Sequence, residues 1–250
     1  MPALPVKISV VIPVLNEVAS IGPIVAGLAP EAEVVVVDGG SSDGTAREAR
    51  ASGAVVVETA AGRGLQMDAG AERSTGEVIL FLHADTRLPP GWRKAVAGAL
   101  EDEKTVGGAF RLSIASPGVG FRVIESVANV RAALFGLIYG DQAIFARRDA
   151  FFRAGGFRKL PLMEDVDCVK RLSGEGKVRL LDERVLTSPR KWRGERGGRG
   201  ARGLVVNTIR NWFIIILYTM GVSPETLYRL YYGDTPETRG GRGGRGGGRR

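Results

Sequence analysis

A histidine and an aspartate lie two residues apart at the end of a short apolar run. The run ends at Leu82, and His83-Ala84-Asp85 follow it. Alternate residues of an extended chain point to the same side, so the imidazole and the carboxylate face one place. An imidazole nitrogen can bind a hydroxyl group, and a carboxylate is the kind of ligand that Mg²⁺ prefers. His83 is the only histidine of the chain, and a purely structural role for it stays open.

Further carboxylates follow the first two predicted strands, at Glu17 and Asp38. In an open parallel sheet, ligands bind beyond the carboxyl ends of the strands. We therefore predict that Glu17, Asp38 and Asp85 share one rim, which binds a nucleotide and a metal ion. The alternative for Asp38 is a turn or a helix cap, a role that we favour only for the neighbouring Asp43.

The elements that would position these side chains alternate between strand and helix over the first hundred residues. Apolar runs and helical spacing predict strands at 7–13, 33–38, 54–58 and 78–82, and helices at 18–28, 45–51, 65–73 and 92–100. Beyond residue 107, we expect strands near 109–114, 142–146 and 178–181, and helices near 121–135, 149–154 and 164–172. This alternation predicts an α/β fold with a mostly parallel central sheet and flanking helices.

The two common nucleotide-binding loops are missing. No Gly-x-x-x-x-Gly-Lys follows the first strand, and residues 62–67 lack the third glycine of the dinucleotide fingerprint. This argues against a P-loop NTPase and a dehydrogenase. A sugar-phosphate nucleotidyltransferase would need a glycine-rich, basic loop after strand one, but it is kept as an alternative.

Five blocks, taken in order, resemble the family 2 glycosyltransferases, which have the GT-A fold. The blocks are VVIPVLNE, VVVVDGGSSDGT, LHAD, YGDQAIFARRDAFFRAGGF and LMEDVD, and the resemblance covers Ile8 to Thr187. It implies an enzyme that transfers a sugar from a nucleotide-diphosphate sugar to a hydroxyl acceptor, with inversion. The TSPRKW segment and the short apolar helix after it are similar to those of a bacterial subgroup.

The resemblance also implies a donor site. Glu17 and Asp38 match residues that hold the base and ribose, and Pro13, in the first block, is grouped with them. Asp85 matches the last acid of the DXD motif, which binds Mn²⁺ or Mg²⁺ on the diphosphate. His83 replaces the first aspartate of that motif and is expected to contact the ribose.

On the acceptor side, the resemblance implies roles for Asp141 and Gln142. Glu164 and Asp165 match the acidic pair in which the second carboxylate is the catalytic base. Acids in a first helical turn also complement the helix dipole, which is the alternative for this pair. Asp167 is expected to cap the helix or to pair with the arginine four residues on.

The C-terminal part is basic and then apolar. Arg190 and Trp192 either fold over the donor diphosphate or belong to a solvated linker, and the sequence favours neither alternative over the other. The apolar stretch 212–222 is too short to span a bilayer, and a helix capped by Ser223 follows it. We expect these helices to pack on the protein, while peripheral membrane contact and a lipid acceptor stay open.

Composition sets the remaining expectations. We divide the 250 residues into a catalytic domain at 1–187 (nucleotide half about 7–90, acceptor half about 91–187), a basic segment with helices at 188–234 and a disordered Arg-Gly tail at 235–250. One cysteine excludes a disulfide, and the first residues show no signal peptide, so we expect a cytoplasmic protein, with contact at the inner membrane face left open.

The net charge of +8 and the Arg-Gly tail suggest an RNA-binding protein as an alternative function. No aromatic stacking motif accompanies the tail.

Overall fold

The structure is a computed structural model, and it describes residues 6–190, 210 and 213–233. The chain divides into two compact units. The first contains the described residues up to Lys159 together with Asp165–Pro189, and the second contains Leu160–Glu164 and the described residues from Arg190 onward.

The first unit is built on an eight-stranded sheet with the order β3-β2-β1-β4-β7-β6-β8-β5. The strands are β1 (Ile8–Val14), β2 (Glu33–Asp38), β3 (Val55–Glu58), β4 (Val78–Phe81), β5 (Thr86–Arg87), β6 (Thr105–Ile114), β7 (Phe145–Arg147) and β8 (Lys177–Thr187). Strands β1 to β4 are mutually parallel, and so are β6 and β8. Strand β7 runs antiparallel between β4 and β6, so the sheet is mixed but mostly parallel.

Helices and a 3-10 turn at Gly140–Gln142 lie between these strands along the chain, and a further helix follows the last strand. The helices are α1 (Val18–Leu28), α2 (Thr45–Ala51), α3 (Arg63–Arg73), α4 (Trp92–Ala99), α5 (Val119–Phe135), α6 (Arg148–Arg153), α7 (Glu164–Glu175) and α8 (Pro224–Tyr232). The chain leaves β1 toward β2 on one side and reaches β4 on the other side. The carboxyl ends of β1 and β4 therefore flank a point where the direction of winding reverses, which is where ligands bind in such sheets.

The apolar runs of the first half form strands that are buried along their length. Val10, Val11 and Ile12 of β1 and Val35 to Val37 of β2 are fully buried. Parallel strands covered on both faces need such continuous apolar runs, whereas half-exposed strands alternate. The observed bounds of α1, β2 and α2 equal the predicted ones, which confirms these three elements.

Strands β5 to β8 all differ from the prediction, and β6 already begins at Thr105, where a strand was expected only near 109–114. The strand predicted at 142–146 is β7, which begins only at Phe145, because the Gln142 side chain accepts from Tyr139 N (3.3 Å) and closes the 3-10 turn. Strand β8 continues to Thr187, well past the predicted end at Leu181. The short strand β5, which pairs with β8, was not predicted.

Side chains take the place of a neighbouring strand along one edge of β6. Beyond Gly108, where the pairing with β7 ends, alternate residues of β6 bond to side chains of α5 and the 3-10 turn. Asn129 accepts from Leu112 N (2.8 Å) and donates to Leu112 O (3.0 Å). Further hydrogen bonds along the same edge come from three other side chains. Gln142 donates to Phe110 O, and Glu125 accepts from Ile114 N. Arg122 donates to Ile114 O.

The described residues of the second unit include a helical segment at 213–219 and helix α8. Ser223 accepts from Thr226 N (3.3 Å) and Pro224 is the first helical residue, so the predicted cap is confirmed. Among the described residues, no helix is long and apolar enough to cross a membrane.

Candidate active site

The predicted donor residues lie where strands β1, β2 and β4 end. Pro13 is in the last part of β1, Glu17 precedes α1, and Asp38 is the last residue of β2. His83 and Asp85 follow β4, and Thr86 N donates to His83 O (3.0 Å), which makes a tight turn of this segment. The sheet order therefore brings the acidic strand ends to one rim, as the sequence indicates.

Asp38 is buried, and it closes the loop that follows β2. Its Oδ1 accepts from Ser41 N (2.9 Å) and from Ser41 Oγ (2.6 Å). This is the turn role that the sequence left as the alternative. A nucleotide contact by Asp38 would therefore use the other carboxylate oxygen, Oδ2.

Asp43 joins the starts of two helices. Its Oδ1 accepts from Thr45 N (3.0 Å) at the start of α2, and its Oδ2 accepts from Val18 N (3.2 Å) at the start of α1. The side-chain hydrogen bond from Thr45 is the main cause that lowers the pKa of Asp43. The structural role favoured for Asp43 is confirmed.

Asp165 and His83 approach each other across Gly140. Asp165 is a buried residue of the first turn of α7, and its Oδ2 accepts from Gly140 N (3.0 Å). A Cβ atom at position 140 would lie 2.7 Å from His83 Nε2 and 2.8 Å from Asp165 Oδ2. Only glycine allows this approach without a shift of one of the two side chains.

An arginine that the sequence reasoning missed also lies at this carboxylate. Arg63, the first residue of α3, has its NH1 atom 4.0 Å from Asp165 Oδ2. The Asp165 side chain is 9% exposed and that of Arg63 is 45% exposed, so the guanidinium reaches the carboxylate from the solvent side. Arg63 follows the carboxyl end of β3, so the rule for ligands at the ends of parallel strands also applies to it.

Asp141 lies in the 3-10 turn, near a buried arginine. The Arg131 guanidinium is 3.8 Å from the centre of the Tyr139 ring, and its Nε donates to Leu137 O (2.9 Å). Burial lowers the pKa of Arg131, while the negative charge of Asp141 acts in the opposite direction. Asp141 is itself buried, so it sits inside a charged and aromatic cluster on the side of the 3-10 turn.

Gln142 is fully buried, and its amide is used by the protein backbone. It donates to Phe110 O (3.2 Å) and accepts from Tyr139 N (3.3 Å). The Gln142 amide thus holds the turn that carries Asp141, and the acceptor-side role of Gln142 stays a prediction.

Three further residues named by the sequence analysis, Glu164, Asp167 and Arg190, are described by the structure. Glu164 is the buried first residue of α7 and belongs to the second unit. Asp167 accepts from Arg171 Nε (2.9 Å), which confirms the predicted pair. Arg190 is exposed, and Trp192 lies outside the described residues, as do the Arg-Gly tail and residues 191–209.

The carboxylate predicted to bind a metal ion at this rim is Asp85. It is partly exposed, and its Oδ1 is 3.2 Å from the Thr86 hydroxyl group. Within the described ranges, no group of three or more His, Cys, Asp and Glu side chains is arranged to hold a metal. One carboxylate fits an ion such as Mg²⁺, which commonly takes one or two protein carboxylates and completes its shell with phosphate oxygens and water.

Comparison with known proteins identifies the class. The model of Glycosyl transferase family 2 matches residues 9–159, more than half of the chain, and the chain therefore belongs to this family. This confirms the resemblance found in the sequence, and it identifies an enzyme that transfers a sugar from a nucleotide sugar. No curated protein sequence matches the chain.

Solved structures share the fold. Glucosyl-3-phosphoglycerate synthase from Mycobacterium tuberculosis, in complex with Mn²⁺, UDP-glucose and phosphoglyceric acid, is 22% identical with a TM-score of 0.57, over 87% of this chain and 80% of that chain. Mannosyl-3-phosphoglycerate synthase from Rubrobacter xylanophilus is 20% identical with a TM-score of 0.55, over 86% of this chain and 75% of that one. The predicted α/β fold of the GT-A type is thereby confirmed.

Proposed function

We propose that this chain is a metal-dependent, inverting glycosyltransferase that moves a sugar from a nucleotide-diphosphate sugar to a hydroxyl group. The observation that carries the proposal is the environment of Asp165. A buried carboxylate at the rim of the sheet is held by the Gly140 N–H, with Arg63 on its solvent side and His83 across the glycine. A helix-dipole role alone would not require this convergence of α7, α3, β4 and the 3-10 turn.

Asp165 is the general base of this mechanism. The acceptor oxygen forms a bond to the anomeric carbon while the bond from that carbon to the diphosphate oxygen breaks. The bonding electron pair leaves with the diphosphate, and the acceptor proton moves to an Asp165 oxygen. The Gly140 N–H fixes Oδ2 (3.0 Å) and so orients the carboxylate for this transfer. Glu164, its neighbour in the chain, is kept in the proposed acidic pair.

Arg63 and Asp85 serve the leaving group. The Arg63 guanidinium is exposed enough to reach a ligand from its position beside Asp165, and it would stabilise the charge that develops on the diphosphate. A divalent ion held by Asp85 would neutralise the same charge when bound. Structures of the mycobacterial synthase contain Mn²⁺ with UDP-glucose or Mg²⁺ with UDP, which supports the choice of Mn²⁺ or Mg²⁺ here.

The other predicted residues complete the donor and acceptor sides. Glu17, Asp38 and Pro13 are proposed to contact the base and ribose with His83, since all four lie at the ends of β1, β2 and β4. Asp141 is proposed for the acceptor side, since Gly140 of the same 3-10 turn donates to Asp165. Arg190 and Trp192 stay proposed for the diphosphate. Membership of a bacterial subgroup is proposed from the TSPRKW segment and the short apolar helix after it, and a lipid acceptor at the inner face of the membrane stays open.

Replacing Asp165 with asparagine separates catalysis from binding. The asparagine side chain would keep the hydrogen bond from Gly140 but could not take a proton, so transfer should fall by about 10²–10⁴ while nucleotide affinity stays unchanged. The donor is first found by thermal shift over a panel of nucleotide sugars, with and without Mn²⁺. Single-turnover transfer and calorimetric titration of the nucleotide then give the two quantities.

Asp167→Asn on the same helix is the matched control. Asp167 pairs with Arg171 away from Gly140, so its replacement should leave transfer near the wild-type rate. Near-normal transfer by Asp165→Asn would make this carboxylate structural and remove the proposed base. Equal losses in both variants would point to a general effect on α7 and would contradict the proposal as well.

A further inference from the structure

A buried glutamine lies on the inner face of α3. Gln66 is 5% exposed. In α3, which the structure describes in full, Gln66 is the one polar side chain in the buried set Gly64, Gln66, Met67, Gly70 and Ala71. Burying an amide costs free energy unless its hydrogen bonds are made inside the protein. The contacts of this amide therefore need to be explained.

The Gln66 amide makes hydrogen bonds to three elements. Its Nε2 donates to Val14 O at the end of β1 (2.9 Å) and to Val37 O near the end of β2 (2.8 Å). Its Oε1 accepts from Gly62 N (3.3 Å), directly before the first residue of α3. Both hydrogens of the amide nitrogen are used by the backbone, so one side chain joins two strand ends to the start of a helix.

Two glycines let these elements come close enough for the amide to reach them. A Cβ atom at Gly70, one turn further along α3, would lie 2.8 Å from Val37 Cγ2. A Cβ atom at Gly39, directly after β2, would lie 3.0 Å from Gln66 Nε2. Side chains at positions i and i+4 share one face of a helix, so positions 66 and 70 both face the sheet. Helix α3 is thus packed closely on the ends of β1 and β2.

The backbone that this amide holds continues directly into the proposed donor site. Asp38 is the next residue after the β2 carbonyl group, and Glu17 lies three residues after the β1 carbonyl group. Arg63 follows the N–H donor at the start of α3, and its NH1 atom lies 4.0 Å from Asp165 Oδ2. A shift of the amide would therefore move residues on both sides of the donor, and a misplacement of about 1 Å can cost about 10²-fold in rate.

We propose that Gln66 is a positioning residue of the donor site, which fixes the distances between the ends of β1 and β2 and the start of α3. It acts through Glu17, Asp38 and Arg63, which face the nucleotide sugar. The inference rests on the proposed function, because these three residues are proposed donor contacts. A glutamine that served the core alone would change the free energy of unfolding and leave nucleotide affinity unchanged.

Gln66→Glu is the sharpest test, since it keeps the shape of the side chain and replaces the nitrogen atom with oxygen. A carboxylate there would face Val14 O and Val37 O, which repel it, whereas the protonated acid can donate to one of them. Burial raises the pKa of such a carboxyl group, so we expect it to titrate between about pH 5 and about pH 8. Nucleotide affinity should be at least about tenfold weaker than in wild type at the higher pH, as for the loss of other supporting hydrogen bonds, and should recover in part at the lower pH.

Calorimetric titration measures the affinity, with UDP, GDP, CDP, ADP and dTDP as probes, each with Mn²⁺. The nucleotide that wild type binds most tightly is then used for the variants. Gln66→Ala removes the amide without adding a titrating group, so its affinity relative to wild type should fall and should not recover at the lower pH. If circular dichroism shows that Gln66→Glu is unfolded at the higher pH, the comparison of Gln66→Ala with wild type decides.

Asn129→Ala is the matched control, because Asn129 is a buried amide that also bonds to the backbone, at the edge of β6. It should lower the urea midpoint of unfolding and keep wild-type nucleotide affinity. Equal losses of affinity in Asn129→Ala and Gln66→Ala would indicate a general loss of stability and overturn the inference.

The outcome for the Gln66 variants is separable from the outcome for the proposed function. Wild type that binds a nucleotide, together with Gln66 variants that bind it equally well, would overturn the inference and leave the proposed function standing. Wild type that binds none of these nucleotides would contradict the proposed function, and the role of Gln66 with it.

Discussion

At the scale of single residues, Gly140 sets the distance between His83 and Asp165. Replacing Gly140 with alanine would place a methyl group 2.7 Å from His83 Nε2 and 2.8 Å from Asp165 Oδ2, so one of the two side chains must move. A misplacement of about 1 Å can cost about 10²-fold in rate, and we expect a loss of transfer of that order. Overpacking should lower the free energy of unfolding by about 1–3 kcal/mol.

The matched control is Gly174→Ala on α7, the helix that carries Asp165. An added Cβ there would meet nothing within 4 Å, so transfer should be unchanged and the helix slightly more stable. Transfer assays and urea unfolding of both variants provide the comparison. If Gly140→Ala transferred sugar at the wild-type rate, close packing of His83 and Asp165 would have no part in catalysis.

His83 and Asp85 should contribute unequally to metal-dependent binding. Asp85→Ala removes the proposed ligand and should abolish the effect of Mn²⁺ on nucleoside diphosphate affinity, while His83→Ala should weaken it only partly. His83→Asp restores an oxygen ligand and a negative charge, so it should keep activity and tighten Mg²⁺ binding. Calorimetric titrations with and without the ion measure each effect. A Mn²⁺ effect of wild-type size in Asp85→Ala would exclude Asp85 from the metal site.

At the scale of elements, α5 stabilises β6 through one amide. Asn129→Ala would leave Leu112 N and Leu112 O buried without the bonds that Asn129 provides. Each unsatisfied buried group costs about 1–3 kcal/mol, and we expect the free energy of unfolding to fall by about 3 kcal/mol. Ser126→Ala, an exposed position of the same helix, should stay within about 0.5 kcal/mol of wild type.

Urea unfolding followed by circular dichroism measures both Asn129→Ala and Ser126→Ala. Equal stabilities of the two variants would show that another group, such as water, replaces the amide at the β6 edge. A loss in Asn129→Ala alone would support the side-chain edge as a stabilising feature of this sheet.

The strands differ in how well their sequences predict them, and burial explains the difference. Strand β2 is a continuous run of valines, because parallel strands in the middle of a sheet are buried on both faces. Strand β8 is mostly exposed and carries Asp182, Glu183 and Arg184 in its middle. The apolar run in its sequence therefore ends at Leu181, whereas the strand itself continues to Thr187. The edge of β6 depends on side chains of α5 that lie 8 to 17 residues further along the chain, a pairing that no local pattern reveals.

At the scale of the whole molecule, the candidate site forms where the parallel part of the sheet meets the antiparallel strand β7. The rim of β1, β2 and β4 follows from local patterns and the rule for parallel sheets, so Glu17, Asp38 and Asp85 could be grouped from sequence. The contact of Asp165 with Gly140 and Arg63 depends on where α7 packs. The resemblance indicated Asp165, but spacing alone could not have indicated that Arg63 meets it.

The packing of α7 on the sheet makes Cys168 a probe of global unfolding. Cys168 is buried with Val11, Val35 and Phe81 of the central strands, and burial raises the pKa of its thiol to about 12, from an ordinary value of 9.0. A thiol-specific reagent at pH 8 should therefore leave the folded protein unlabelled and react at the rate of unfolding in urea.

The same pKa of Cys168 predicts how stability depends on pH. Above pH 9 the unfolded chain loses the thiol proton, whereas the folded chain retains it up to about pH 12. The unfolded state then binds fewer protons than the folded state, so a rise in pH favours unfolding by up to about 1.4 kcal/mol per pH unit. Other groups titrate in this range, so the measured quantity is the difference between wild type and Cys168→Ala in urea unfolding from pH 8 to pH 10. Wild type should lose stability more steeply than the variant above pH 9, and parallel curves would show that α7 leaves the thiol open to solvent.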